Sequence, residues 1–181
     1  MQDPSVEKIL TLINQSETHE AGFRMIVKAY QSKLYWLIRR MVIHHDDAND
    51  VLQNTFIKVW ENIQKFRGDS DLYTWIYRIA VNESLLFLNK KKKNNLQTND
   101  YGEVLRSQLE ADSFFEGDEV QLQLQKAILR LPEQQRLVFN MRYFEEIKYQ
   151  DMAKILNKSE GALKANYHHA VKKIENFFKE D

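Results

Sequence analysis

The chain has 181 residues, 26 basic and 26 acidic side chains, no cysteine and a hydrophobic share of 43%. That length can bury one or two cores, and the missing cysteines exclude a disulfide framework or a thiolate zinc site. No apolar run approaches the ~20 residues that span a bilayer, and the opening MQDPSVEKIL lacks a basic stretch followed by an apolar one, so the expectation is a cytoplasmic protein without a signal peptide or membrane insertion.

A net charge of zero argues against strong unaided binding to DNA, which runs on a basic surplus. The charge is nevertheless segregated. Residues 21–45 carry Arg24, Lys28, Lys33, Arg39 and Arg40 and no acid. Residues 95–118 carry Asp100, Glu103, Glu110, Asp112, Glu116 and Asp118 against Arg106 alone, a balance of −5.

Taken in order, the elements predict an all-α chain. Proline occurs only at positions 4 and 132, and no segment sustains an alternating pattern. Phe23, Ile26, Val27, Tyr30, Leu34, Leu37, Ile38 and Met41 trace one helical stripe. Leu52, Phe56, Val59, Trp60 and Ile63 trace a second, with Asp46 or Asp47 as its cap and Trp60 read as core. Leu72, Trp75, Ile76, Ile79 and Leu86 trace a third, capped by Asp69 or Ser70. These helices predict a first domain over residues 1–94, ending at the Lys90–Lys93 run. Residues 95–118 read as an acidic linker with a short helix near Glu103–Glu110.

A second domain is expected over 119–181. Val120, Leu124, Ala127, Ile128 and Leu131 begin it, and Pro132 suits a first helical position followed by Glu133. Tyr149, Met152, Ala153 and Leu156 make a short helix, Asn157-Lys158 a turn, and Ser159 the cap of a last helix burying Tyr167, Ala170, Val171, Ile174, Phe177 and Phe178. KYQDMAKILNKSEGALKANYHHAVKKI has helix-turn-helix spacing: small Ala153 allows close approach, and the second helix presents its early residues outward. An ordinary helical hairpin has the same spacing.

No enzyme constellation is present: no Gly-rich phosphate loop, paired-histidine metal motif or serine elbow. His44-His45-Asp46-Asp47 are adjacent residues that do not converge on one ion, so no metal and no cofactor are expected.

DDANDVLQNTFIKVWENIQKF followed by RGDSDLYTWIYRIAVNESLLF joins a polar, acidic helix to an aromatic one that runs into lysines. This block resembles the second conserved region of bacterial sigma factors, in particular the extracytoplasmic-function (ECF) group of the sigma-70 family. LPEQQRLVFNMRYFEEIKYQDMAKILNKSEGALKANYHHAVKKI is similar to that group's fourth region, through Leu131, Pro132, Gln135, Arg136, Arg142, Tyr143, Ala153, Leu156, Ser159, Gly161, Lys164, His168, Ala170 and Lys172. Together they cover roughly residues 23–93 and 119–178.

The resemblance implies a factor that binds core RNA polymerase, directs it to promoter DNA and helps open it, restrained by an anti-sigma factor that is often membrane-anchored. By the same resemblance, Asp50, Gln53 and Asn54 would dock on the polymerase. Phe66, Arg67, Gly68, Asp69, Ser70, Tyr73, Trp75, Tyr77, Arg78, Asn82, Lys90, Lys91, Lys92 and Lys93 would engage the −10 element. Ser159, Lys164, Asn166, His168, His169, Lys172 and Lys173 would engage the −35 element.

The sequence departs from the family at Asn54, where glutamate is frequent, and at Leu86-Phe87, where an aspartate-histidine pair is frequent. Ala162, Ala165, Asn166, His169 and Val171 replace threonine, serine and arginines, which implies a different base preference. Two other readings remain open on the sequence: a stand-alone helix-turn-helix regulator, which would dimerise on duplex DNA, and a helical adaptor that binds only protein.

Overall fold

The computed structural model describes residues 4–68, 70–94 and 119–180. The described residues form α-helices and one 3-10 turn, in two compact units divided between Lys90 and Lys91.

The first unit contains α1 (Pro4–Ile13), α2 (His19–Val42), α3 (His45–Asn62), a 3-10 turn (Ile63–Lys65) and most of α4 (Leu72–Asn94). α1 adds a helix to the three expected here. It starts on Pro4, whose fixed φ suits a first position, and buries Ile9 and Ile13 against α2. Gly22 makes that contact possible: a Cβ there would stand 3.0 Å from Ile13 Cγ1 and from Leu12 Cβ. The core gathers Ile26, Leu34, Leu37 and Ile38 of α2, Val51 and Val59 of α3, and Leu72, Ile76, Tyr77, Ala80 and Val81 of α4, all nearly or wholly buried. Each fully buried aliphatic side chain contributes about 1.5–3 kcal/mol of transfer free energy.

Two caps differ from expectation. His44 occupies the N-cap of α3, so Asp46 and Asp47 lie in the first turn. There they complement the positive end of the helix dipole. α4 starts at Leu72, which puts Asp71 before it: its Oδ1 accepts from the Thr74 N–H at 3.1 Å and its Oδ2 from the Thr74 hydroxyl. Ser70 is one residue too early for that reach, and Asp69 lies outside the described residues.

Only Ile43 and His44 separate α2 from α3. Ile43 has φ 69° and ψ −50°, and the His44 N–H donates to the Val42 carbonyl at 2.9 Å, a γ-turn. A β-branched residue at positive φ is strained. Complete burial of the Ile43 side chain holds it there.

The second unit contains α5 (Glu119–Leu129), α6 (Glu133–Tyr143), α7 (Tyr149–Leu156) and α8 (Glu160–Glu180). α5, α6 and α7 all pack on α8, around Ala127, Ile128, Leu131, Phe139, Ala170, Ile174 and Phe177. Phe139 stacks on Tyr167 at 5.9 Å. Pro132 is the N-cap of α6, one position earlier than expected. Phe178 is 44% exposed rather than buried, because Ile174 and Phe177 already fill the inward face of the last turns. α7 ends at Asn157, in the left-handed conformation at φ 51°. Ser159 Oγ then accepts from the Ala162 N–H at 3.2 Å, capping α8 as expected. The expected short helix at 103–110 falls outside the described residues.

Candidate nucleic-acid interface

In the first unit, the end of α3 and the 3-10 turn face one side of α4 across an open cleft of about 370 Å³. Lys58, Asn62 and Lys65 line one wall, and Trp75, Arg78, Ile79, Asn82 and Glu83 line the other. Residues 75, 78, 79, 82 and 83 share one helical face. Trp75 is half-buried, with Phe66 packed against it at 5.6 Å. Lys58 is paired with Glu61 at 3.1 Å and Lys65 donates to Asn62 at 3.2 Å, both in exposed settings. A concave wall with an indole face and three cations suits a flat π-system carrying a phosphate.

The loop before α4 leads into this cleft. Arg67 and Gly68 are exposed, Ser70 is half-buried, and Gly68 sits at φ 77° with no atom near its missing Cβ. That backbone is open to close approach, and a side chain would be strained there. Tyr73 is half-buried between Tyr30 at 5.6 Å and Tyr77 at 5.8 Å, with Lys33 Nζ 5.6 Å above its ring. Tyr77 differs from expectation. It is 0% exposed, on the face of α4 that carries Ile76, Ala80 and Val81 inward, so it serves the core and has no ring surface to offer a base. Arg78, Asn82, Lys90, Lys92 and Lys93 are exposed and Lys91 is half-buried. Leu86, 62% exposed, lies on the same strip as Arg78 and Asn82.

α3 presents a separate surface. Asp50, Gln53 and Asn54 are exposed, and the helical repeat continues that face through Ile57 and Trp60. Ile57 is 47% exposed and Trp60 43%. The expectation of a core Trp60 does not hold. The indole meets the His19 ring at 4.5 Å and the Phe23 ring at 4.9 Å, both near perpendicular, and is still part exposed.

In the second unit, Lys164, His168 and Lys172, four residues apart, form one exposed stripe of α8. His169 and Lys173 lie exposed on a neighbouring stripe with Asn166, which is half-buried and donates its amide to the Ala162 carbonyl at 2.8 Å. Sequence spacing groups Asn166 with Lys164 and His168; the helix separates them. Lys164 bridges to Glu160 at 3.4 Å and lies 5.6 Å from the Tyr149 ring centre. Arg142 approaches the same ring at 5.4 Å while donating to the Ile147 carbonyl at 3.2 Å. Tyr149 thus gathers one cation from α6 and one from α8 at the start of α7. Burial, then neighbouring Tyr149, pushes the Tyr167 phenol up, against a lowering by Arg142.

Family comparison matches Sigma-70 region 2 over residues 26–94 and Sigma-70 region 4 over residues 121–174. The chain is 31% identical over 164 residues to the ECF RNA polymerase sigma-E factor of Haemophilus influenzae, covering 86% of each. It is 32% identical over 178 residues to the RNA polymerase sigma-H factor of Pseudomonas aeruginosa, covering 85% of this chain and 84% of that one. The chain belongs to the ECF group of RNA polymerase sigma factors.

Its fold agrees with that of solved sigma factors. RpoE in complex with the anti-sigma factor NepR from Bartonella quintana is similar at a TM-score of 0.70 and 20% identity, over 88% of this chain and 98% of that one. CnrH in complex with the cytosolic domain of CnrY is similar at 0.70 and 17%, over 98% and 99%.

Sequence reasoning passed over three parts of this sigma factor's surface. Lys58, Asn62 and Lys65 recur every three or four residues and face the cleft. Ile57 and Trp60 continue the Asn54 face by steps of three. In each case the helical repeat carries the signal, masked because Ile57 and Trp60 are apolar and the charged residues look like ordinary solvated surface. Tyr149 was visible only as a helix-start aromatic. Among the described residues no helix is long and apolar enough to cross a membrane.

Proposed function

We propose that this sigma factor docks on core RNA polymerase through Asp50, Gln53 and Asn54, with Ile57 and Trp60 as the apolar centre of that face. In this reading residues 1–94 carry polymerase and −10 binding, residues 95–118 are an acidic linker, and residues 119–181 carry −35 binding. The α3–α4 cleft, with Phe66–Ser70 at its rim, takes an unstacked base of the −10 element, and Arg78, Asn82 and the lysines of α4 follow its backbone. The stripe Lys164, His168 and Lys172 follows the −35 duplex, with Ser159, Asn166, His169 and Lys173 beside it.

The observation that carries the reading is the pairing, on one helix, of an exposed amide-rich and apolar face with a cationic aromatic cleft at its end. A protein anchor and a nucleic-acid site are then held by one rigid element. The chain acts as an initiation factor without catalytic chemistry of its own, in the cytoplasm. An anti-sigma factor restrains it, a role supported by the solved relatives named above with NepR and CnrY.

Run-off transcription with core polymerase and genomic promoter fragments tests this. Promoter-dependent transcripts are expected only when the chain is added. A dimer that footprints duplex DNA without polymerase, or equal transcription in its absence, overturns it.

A further inference from the structure

We infer that His19, ahead of the matched region 2 span, is a positioning residue that fixes Trp60 in the docking face of α3; the inference rests on the docking reading above. Two contacts fix it, one to the end of α1 and one to Trp60. The His19 Nδ1–H donates to the Ile13 carbonyl at 2.9 Å, and the Thr18 hydroxyl donates to the Leu12 carbonyl at 2.9 Å. Carbonyls in the last turn of a helix have no partner within it, so two side chains at the start of α2 cap the end of α1.

Because Nδ1 is committed to Ile13, the imidazole has one orientation. Its ring meets the Trp60 indole at 4.5 Å and 88°. Phe23, one turn further along α2, meets the same indole at 4.9 Å and 76°. Gly22, between them in sequence, admits the end of α1 to within 3.0 Å of the space a Cβ would fill. The helix that precedes the matched region is therefore part of the mounting of Trp60.

Trp60 is 43% exposed, and an exposed aromatic free to rotate loses that freedom on binding. Held against two rings, it meets a partner already ordered. Central aromatic anchors of this kind carry much of the energy of protein interfaces.

The experiment measures equilibrium binding of the full chain to core polymerase, alongside melting temperature and the Trp60 indole resonance. His19→Asn keeps an amide donor for the Ile13 carbonyl but removes the ring. It is expected to keep the melting temperature, shift the Trp60 resonance and weaken binding about threefold to tenfold. Thr18→Val removes the other cap; it is expected to lower the melting temperature and leave affinity unchanged. Trp60→Ala is expected to weaken binding at least as much as His19→Asn, and adding His19→Asn to it is expected to have no further effect.

Wild-type affinity for folded His19→Asn alongside a weakened Trp60→Ala overturns the inference. So does an effect of His19→Asn that persists in the Trp60→Ala background, or a conformationally averaged Trp60 resonance in the wild-type free chain. Wild-type binding by both Asp50→Lys and Trp60→Ala overturns the docking reading itself, and this inference with it.

Discussion

The two surfaces proposed to meet DNA are built on different principles. The first-unit surface is concave: Trp75 forms a wall, and Lys58, Lys65 and Arg78 surround it. The α8 surface is a convex ridge where Lys164, His168 and Lys172 project with no tryptophan wall beside them. A cleft with an aromatic wall selects bases that have left the stack, whereas a ridge fits the groove of an intact duplex. Under the proposed function the contrast amounts to a division of labour, in which one unit captures opened DNA and the other registers closed DNA.

Trp75→Ala gives the largest separation between them. In holoenzyme it should weaken capture of the single-stranded non-template −10 strand by about 1–3 kcal/mol and leave affinity for a −35 duplex intact. Fluorescence anisotropy with the two DNAs measures both, and parallel losses on both break the contrast.

Lys164→Ala combined with Lys172→Ala tests the other side. Affinity for the −35 duplex should fall for every sequence, and the slope of log affinity against log salt should flatten by about 2. An unchanged slope would mean these lysines do not meet phosphate.

Smaller effects sharpen the picture. Asn166→Ala should change −35 preference by no more than about 0.5 kcal/mol, because one of its two amide N–H donors is held by the Ala162 carbonyl and the side chain lies back along the helix. A selection experiment that returns an altered base at one position would show that the remaining amide N–H or the amide oxygen reads DNA. Smallest of all, Tyr77→Phe should leave single-strand affinity unaltered, since the hydroxyl of a wholly buried side chain cannot reach the strand. Loss of strand capture at an unchanged melting temperature would contradict that burial.

Much of this organisation is legible in the sequence where one physical signal dominates. The helix-turn-helix is an example: Tyr149–Leu156 stands where the apolar spacing put it, and Ser159 caps α8 because a hydroxyl three residues before a free N–H has few competitors. The illegible parts are those where one residue type serves two ends. Trp60 and Tyr77 are both aromatic residues at helical spacing, and sequence put the first in the core and the second at the surface. The structure reverses them, because burial depends on which neighbouring helix covers each turn. The α4 cap is Asp71 rather than Asp69 or Ser70 because three capping residues stand in a row and only the start of the helix decides among them. α1 was hidden by its brevity: ten residues show too few turns of repeat.

The γ-turn at Ile43 has a consequence for rotational phase. With only Ile43 and His44 between α2 and α3, the connection has no slack in which to absorb an extra residue. Each residue of helix advances the azimuth by about 100°. One insertion after Val42 would turn α3 about its own axis by more than a quarter revolution, unless the added residue bulged from the turn. Val51, Thr55 and Val59 would then leave the core, and the row from Asp50 to Trp60 would swing toward it. The strained turn therefore acts as an angular index for the first unit: it sets which side of α3 a partner meets, before any residue on that side makes contact.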